Sequence, residues 1–64
     1  MRNRVKEFRA IQNMTQSQLA ELISVSRQTI HAIESGKYVP STVLALKMAR
    51  EFSVKVEDLF QLDE

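Results

Sequence analysis

The sequence predicts an all-α fold, a single small domain of five short helices, on three observations. Only one glycine and one proline interrupt the chain, both within the stretch ESGKYVPST. No segment alternates apolar and polar residues with the period of two that a half-buried strand requires. Apolar residues instead recur at helical spacing, between residues that start and stop helices well. With 64 residues, the chain buries only about 60% of its unfolded surface, so reinforcement is expected. There is no cysteine and only one histidine, which excludes disulfides and leaves no ordinary zinc ligand set. Tight helix packing, a second subunit, or both remain.

The elements follow in order. Helix 1 is expected over residues 4–12, with Asn3 as N-cap and Asn13 as a left-handed stop. Helix 2 begins after Thr15. Thr15 and Gln18 have the spacing at which a cap hydroxyl and a glutamine three residues on satisfy each other's backbone amides. Helix 2 ends near Ile23 and Ser26 caps helix 3, so only Ser24 and Val25 lie between. So short a link forces a sharp corner, with Val25 turned inward and small Ala20 at the crossing. Residues 16–35 therefore carry the apolar pattern of a helix-turn-helix. Helix 4 follows Pro40, capped by Ser41, with TVLALKMAREF as its body. Helix 5 is expected over 56–62, where Glu57 and Asp58 suit the positive end of the helix dipole.

Charge is distributed unevenly. Residues 1–38 hold six basic against three acidic side chains, net +3, and residues 39–64 are net −2. That asymmetry fits one face for a polyanion and an acidic end kept away from it. Chance scatter over a solvated surface would look the same.

On a helical wheel, Ile30 and Ile33 of helix 3 point inward and Glu34 lies on the inner edge. Gln28 and Ala32 fall opposite, flanked by Thr29, His31 and Ser35, with Arg27 in the first turn. An ordinary solvated face would carry Glu and Lys pairs. This face carries the residue types that read a major groove. Glutamine can bond adenine N6 and N7, arginine can bond guanine O6 and N7, and a methyl can meet thymine.

The whole stretch from about residue 4 to 62 resembles the Cro and phage-repressor type of helix-turn-helix domain, the XRE-like family. The resemblance rests on TQSQLA opening helix 2, VS at the turn, RQTIHAIESGK through helix 3, and the later P, LALKMAREF and VEDLF. It implies a compact five-helix, lambda-repressor-like domain that binds double-stranded operator DNA, usually as a dimer. Gln28 then matches the base-reading glutamine, with Arg27, Thr29, His31 and Ala32 at the other recognition positions. Gln16 matches a phosphate-bonding glutamine that supports the base-reading one. Lys37 matches a backbone-contacting loop, with Tyr38, Ser41 and Thr42 as further phosphate contacts. Arg9 and Glu34 match a structural ion pair bridging helices 1 and 3. Ser24 and Ser53 stand where the family commonly has glycine, and Lys55 where it has a capping hydroxyl. Leu22 stands where an exposed polar residue is usual.

The C-terminal segment carries more apolar surface than one small core can hide. Val43 and Leu46 fall off the core stripe of helix 4. Part of the excess, chiefly Val56, Phe60 and Leu62 within 54–64, is assigned to a two-fold subunit contact. The expected function is a sequence-specific DNA-binding transcriptional regulator, a repressor reading a near-palindromic operator as a homodimer. The alternative is a small helical interaction module, antitoxin-like or an adaptor, with weak DNA binding. No cofactor, metal or small-molecule ligand is expected. Glu57 and Asp58 are adjacent and do not share a helix face, and no nucleophile–base set is present, so enzymatic activity is not expected. No apolar run approaches the roughly 18 residues of a membrane span, and the N-terminus lacks a signal-peptide core. A soluble, cytoplasmic protein is therefore expected.

Overall fold

A computed structural model describes residues 1–63. In chain order the elements are β1 (Arg2–Asn3), α1 (Val5–Ile11), α2 (Gln16–Leu22), α3 (Arg27–Glu34), α4 (Thr42–Phe52), α5 (Val56–Leu59) and β2 (Phe60–Gln61). The five helices enclose one core built from all of them. Val5, Leu19, Ile30, Met48 and Leu59 are completely buried. Phe8, Met14, Val25, Val54 and Val56 pack against it from the edge. The Phe8 and Phe52 rings stack with centroids 5.9 Å apart. Among the described residues, no helix is long and apolar enough to cross a membrane.

Helix starts follow side-chain chemistry. Thr15 Oγ1 accepts from the Gln18 amide at 3.0 Å, and Gln18 Oε1 accepts from the Thr15 amide at 2.8 Å, a complete capping box. Ser26 and Ser41 hydroxyls accept from the amides of Thr29 and Leu44. At α5 only half of such a box exists. The Asp58 carboxylate accepts from the Lys55 amide at 3.0 Å, while the lysine side chain has no acceptor to return.

Helix ends share one device. After α1, α2, α3 and α4 stand Asn13, Ser24, Gly36 and Ser53, all left-handed with φ between 53° and 78°. In each case the next amide reaches back five residues to a helix carbonyl: Met14 to Arg9, Val25 to Ala20, Lys37 to Ala32, Val54 to Ala49. The closures satisfy carbonyls that would otherwise be unpaired. Only one of the four is glycine. Ser24 and Ser53 each accept a strained backbone, at about 1 kcal/mol, because the 2.9 Å bonds that follow them hold the turn.

Two expectations are corrected. Helix 1 starts one residue late. Arg4 occupies the cap position, and Asn3 Oδ1 accepts from the Val5 amide at 3.2 Å. Asn3 is committed to a strand, and its Nδ2 donates to the Ile33 carbonyl at 2.9 Å. Helix 5 stops at Leu59 rather than 62. Phe60 is extended, which turns its ring into the core at 9% exposure. Phe60 and Gln61 pair antiparallel with Asn3 and Arg2. Gln61 Nε2 takes up the Glu57 and Asp58 carbonyls that the terminated helix releases. The Arg4 amide bonds Leu59 O at 2.8 Å, extending this clasp between the two ends of the chain.

Candidate nucleic-acid interface

The corner between α2 and α3 places the residues of interest. Val25, half-buried, plugs it, and Ile30 and Ile33 fix the inner face of α3. Rotation of α3 is thereby set, and its outer face follows. Arg27, Gln28 and His31 are exposed, and Ala32 is half-buried beside them. Thr29 is also half-buried, with its hydroxyl 2.9 Å from that of the Ser26 cap. Its hydroxyl is therefore partly committed to the helix start.

Beyond α3 the chain wraps back on the helix end. The amides of Lys37 and Tyr38 both donate to the Ala32 carbonyl, at 2.9 and 3.2 Å. This holds the exposed Lys37 and Tyr38 at the C-terminal end of α3, beside Ala32. Ser41 and Thr42 are exposed at the start of α4. Ser41 Oγ is occupied as an acceptor by its own helix cap but retains its proton to donate.

On the other side, α1 contributes a nearly buried ion pair. Arg9 Nε donates to Glu34 Oε2 at 2.7 Å and Arg9 Nη2 to Glu34 Oε1 at 3.1 Å. Their side chains are 14% and 8% exposed. Two parallel bonds of this kind are the fork-to-carboxylate geometry that only arginine supplies. Arg9 Nη1 also donates to the Met14 carbonyl at 2.8 Å, fastening the turn between α1 and α2. Burial raises the Glu34 pKa. The hydrogen bonds from Arg9 and Gln16 and the charges of Arg9 and Lys6 outweigh it and leave the carboxyl below its ordinary value.

One contact was not foreseen from the sequence. Gln16 Nε2 donates to Glu34 Oε1 at 3.0 Å, so the glutamine opening α2 is tied to the end of α3. A groove of about 370 Å³ runs here, lined by Lys6, Arg9, Gln16, His31, Glu34 and Ser35. Lys6 and Ser35 are thus neighbours of the expected contact residues. Lys6 was missed because it lies on α1, outside the helix-turn-helix unit. Its place three residues before Arg9, on the same helical face, was the available signal.

Among the residues expected at a subunit contact, Leu62 is 67% exposed, Val56 is half-buried and Phe60 belongs to this chain's own core. Phe60 and Val56 form part of a shallow, mostly apolar groove with Met1, Val39, Pro40, Thr42, Ala45 and Leu46. Val39, Val43 and Leu46 are more than half exposed.

Comparison with known proteins gives a consistent picture. A Helix-turn-helix family model matches residues 5–59. An uncharacterized HTH-type transcriptional regulator of Archaeoglobus fulgidus is 56% identical over 64 residues, covering all of this chain and 90% of that protein. The Bacillus subtilis regulator YgzD, likewise uncharacterized, is 53% identical over 64 residues, covering all of this chain and 97% of its own. Among solved structures, the restriction-modification controller protein C.AhdI of Aeromonas hydrophila superposes with a TM-score of 0.81 at 30% identity, over 89% of this chain and 86% of its own.

Proposed function

The chain belongs to the helix-turn-helix family and is an HTH-type transcriptional regulator; from that premise we propose that it binds a near-palindromic operator as a homodimer and reads each half-site with α3. The observation that carries this reading is the outer face of α3. Arg27, Gln28 and His31 stand exposed on a helix whose rotation is fixed by Ile30 and Ile33. Gln28 reads a base edge through its amide, Arg27 reads guanine or the adjoining phosphate, and Ala32 leaves room for a thymine methyl. Gln16, Lys37, Tyr38, Ser41 and Thr42 grip the backbone and set the register.

The apolar groove supports dimerisation. Val39, Leu46 and Leu62 are left against solvent, with half-buried Val56 beside Leu46 in the groove, in a domain with little stability to spare. A two-fold contact there covers them, with Phe60 as floor. It sets the two copies of α3 about 34 Å apart, on half-sites about 10 base pairs centre to centre. Such a dimer acts as a repressor where its operator overlaps a promoter.

The division between reading and gripping is testable. Gln28→Ala is expected to cost about 1–3 kcal/mol at one position of each half-site and to relax base preference there. Lys37→Ala is expected to weaken all duplexes alike and to lower the salt slope by roughly one unit. Titrations over a panel of base-substituted operators at several salt concentrations separate the two. Identical profiles for both variants would show the assignment of roles to be wrong.

A further inference from the structure

The hydrogen bond between Gln16 and Glu34 joins two groups that have separate expected duties. Glu34 belongs to the nearly buried pair with Arg9, and Gln16 opens the helix beside it. We infer that Glu34 is a positioning residue for DNA binding: it holds the Gln16 side-chain amide fixed in the free protein, so that the remaining N–H is already presented to a backbone phosphate. This rests on the reading that the α2–α3 face binds DNA.

Three observations support it. First, the geometry divides the work of the Gln16 amide. One N–H bonds Glu34 Oε1 at 3.0 Å, and no other side-chain bond from Gln16 occurs among the described residues. The second N–H is available to an anion. A glutamine side chain loses up to about 2 kcal/mol of rotamer freedom when fixed. Fixing it during folding removes that cost from binding.

Second, the charge balance makes the arrangement tolerable to phosphate. A lone carboxylate beside the contact would repel the backbone. Glu34 is neutralised by two hydrogen bonds from Arg9, and the Lys6 ammonium lines the same groove. Third, the chain of bonds is continuous from the Met14 carbonyl through Arg9 and Glu34 to Gln16. The turn before α2, the end of α3 and the Gln16 amide are therefore set together. A glutamate at position 16 could not serve, because it has no proton to donate and would set two carboxylates against each other.

The test is a double-mutant cycle on binding to a random-sequence duplex, at a temperature where melting curves show every variant folded. Gln16→Ala leaves both Arg9–Glu34 bonds possible. It is expected to weaken binding about tenfold, the effect of one hydrogen bond to a charged group, with the salt slope unchanged because no charge is removed. Glu34→Ala, which removes the acceptor, is expected to weaken binding by a comparable factor at a salt concentration that screens the freed Arg9 charge, and the double variant to be no weaker than Gln16→Ala alone. Multiplying effects, or a Glu34→Ala protein that melts earlier yet binds as well as wild type, would overturn the inference. If Glu34→Ala does not fold, nuclear magnetic resonance of the wild type decides. The Gln16 side-chain amide signals are expected to shift together with the acid titration of Glu34; signals indifferent to that titration would overturn it. A wild type that shows no salt-dependent duplex affinity would instead remove the DNA-binding reading itself, an outcome distinct from either.

Discussion

Arg9→Ala should unfold or nearly unfold this domain at moderate temperature. The substitution removes both bonds to Glu34 and the bond to the Met14 carbonyl. It leaves a carboxylate of 8% exposure with only Gln16 as donor. Breaking one side of a buried pair costs about 3–5 kcal/mol. Small domains have roughly 5–15 kcal/mol in total, and one this size lies toward the lower end. A drop in Tm of at least about 12 °C is expected, read by circular dichroism. An unchanged Tm would show the pair to be surface decoration. The same pair gives stability a pH dependence of definite sign. Glu34 is held below its ordinary pKa in the folded state. Its contribution is therefore fully present above the unfolded value, about 4.3, and is lost as pH falls through the lower folded value. Wild type should lose this part of its stability in acid, and Arg9→Ala should lack it.

The second large effect concerns the apolar groove. Leu46→Glu places a charge at a position 56% exposed in the single chain, where the monomer fold has no need of leucine. The variant should fold, sediment as a monomer at micromolar concentration, and bind an isolated half-site as wild type does. On a full operator it should lose the gain from joining two modules, roughly 10²–10⁴-fold. A variant that remains dimeric, or that binds the full operator unimpaired, would place the subunit contact elsewhere.

Much of the architecture was legible because it depends on local chemistry. The Thr15–Gln18 box, the Ser26 and Ser41 caps and the left-handed Asn13 are short-range devices that a few adjacent residues specify. Ser24 and Ser53 stood out as substitutes for glycine, and both adopt the left-handed conformation that glycine would favour. The Arg9–Glu34 bridge was implied by the family resemblance, and the place of Glu34 on the inward edge of its wheel agrees with it. What escaped is non-local or too short to pattern. Two-residue strands cannot display a period of two, so the pairing of Arg2 and Asn3 with Gln61 and Phe60 left no trace in the sequence. Phe60 looked like spare apolar surface because helical continuation was assumed. An extended backbone sends its ring inward instead. The Gln16–Glu34 bond depends on how α2 and α3 meet at the corner, and their 18-residue separation concealed it. The outer face of α3 was read residue by residue, and the structure leaves Arg27, Gln28 and His31 exposed there.

Selection of bound sequences from a random duplex pool tests the central claim, sequence-specific recognition through α3, most directly. The expected result is enrichment of one two-fold-symmetric sequence with half-site centres about 10 base pairs apart, with information lost at a single position per half-site when the selection is repeated with Gln28→Ala. A pool that returns unenriched, or an enriched sequence indifferent to Gln28→Ala, would contradict it.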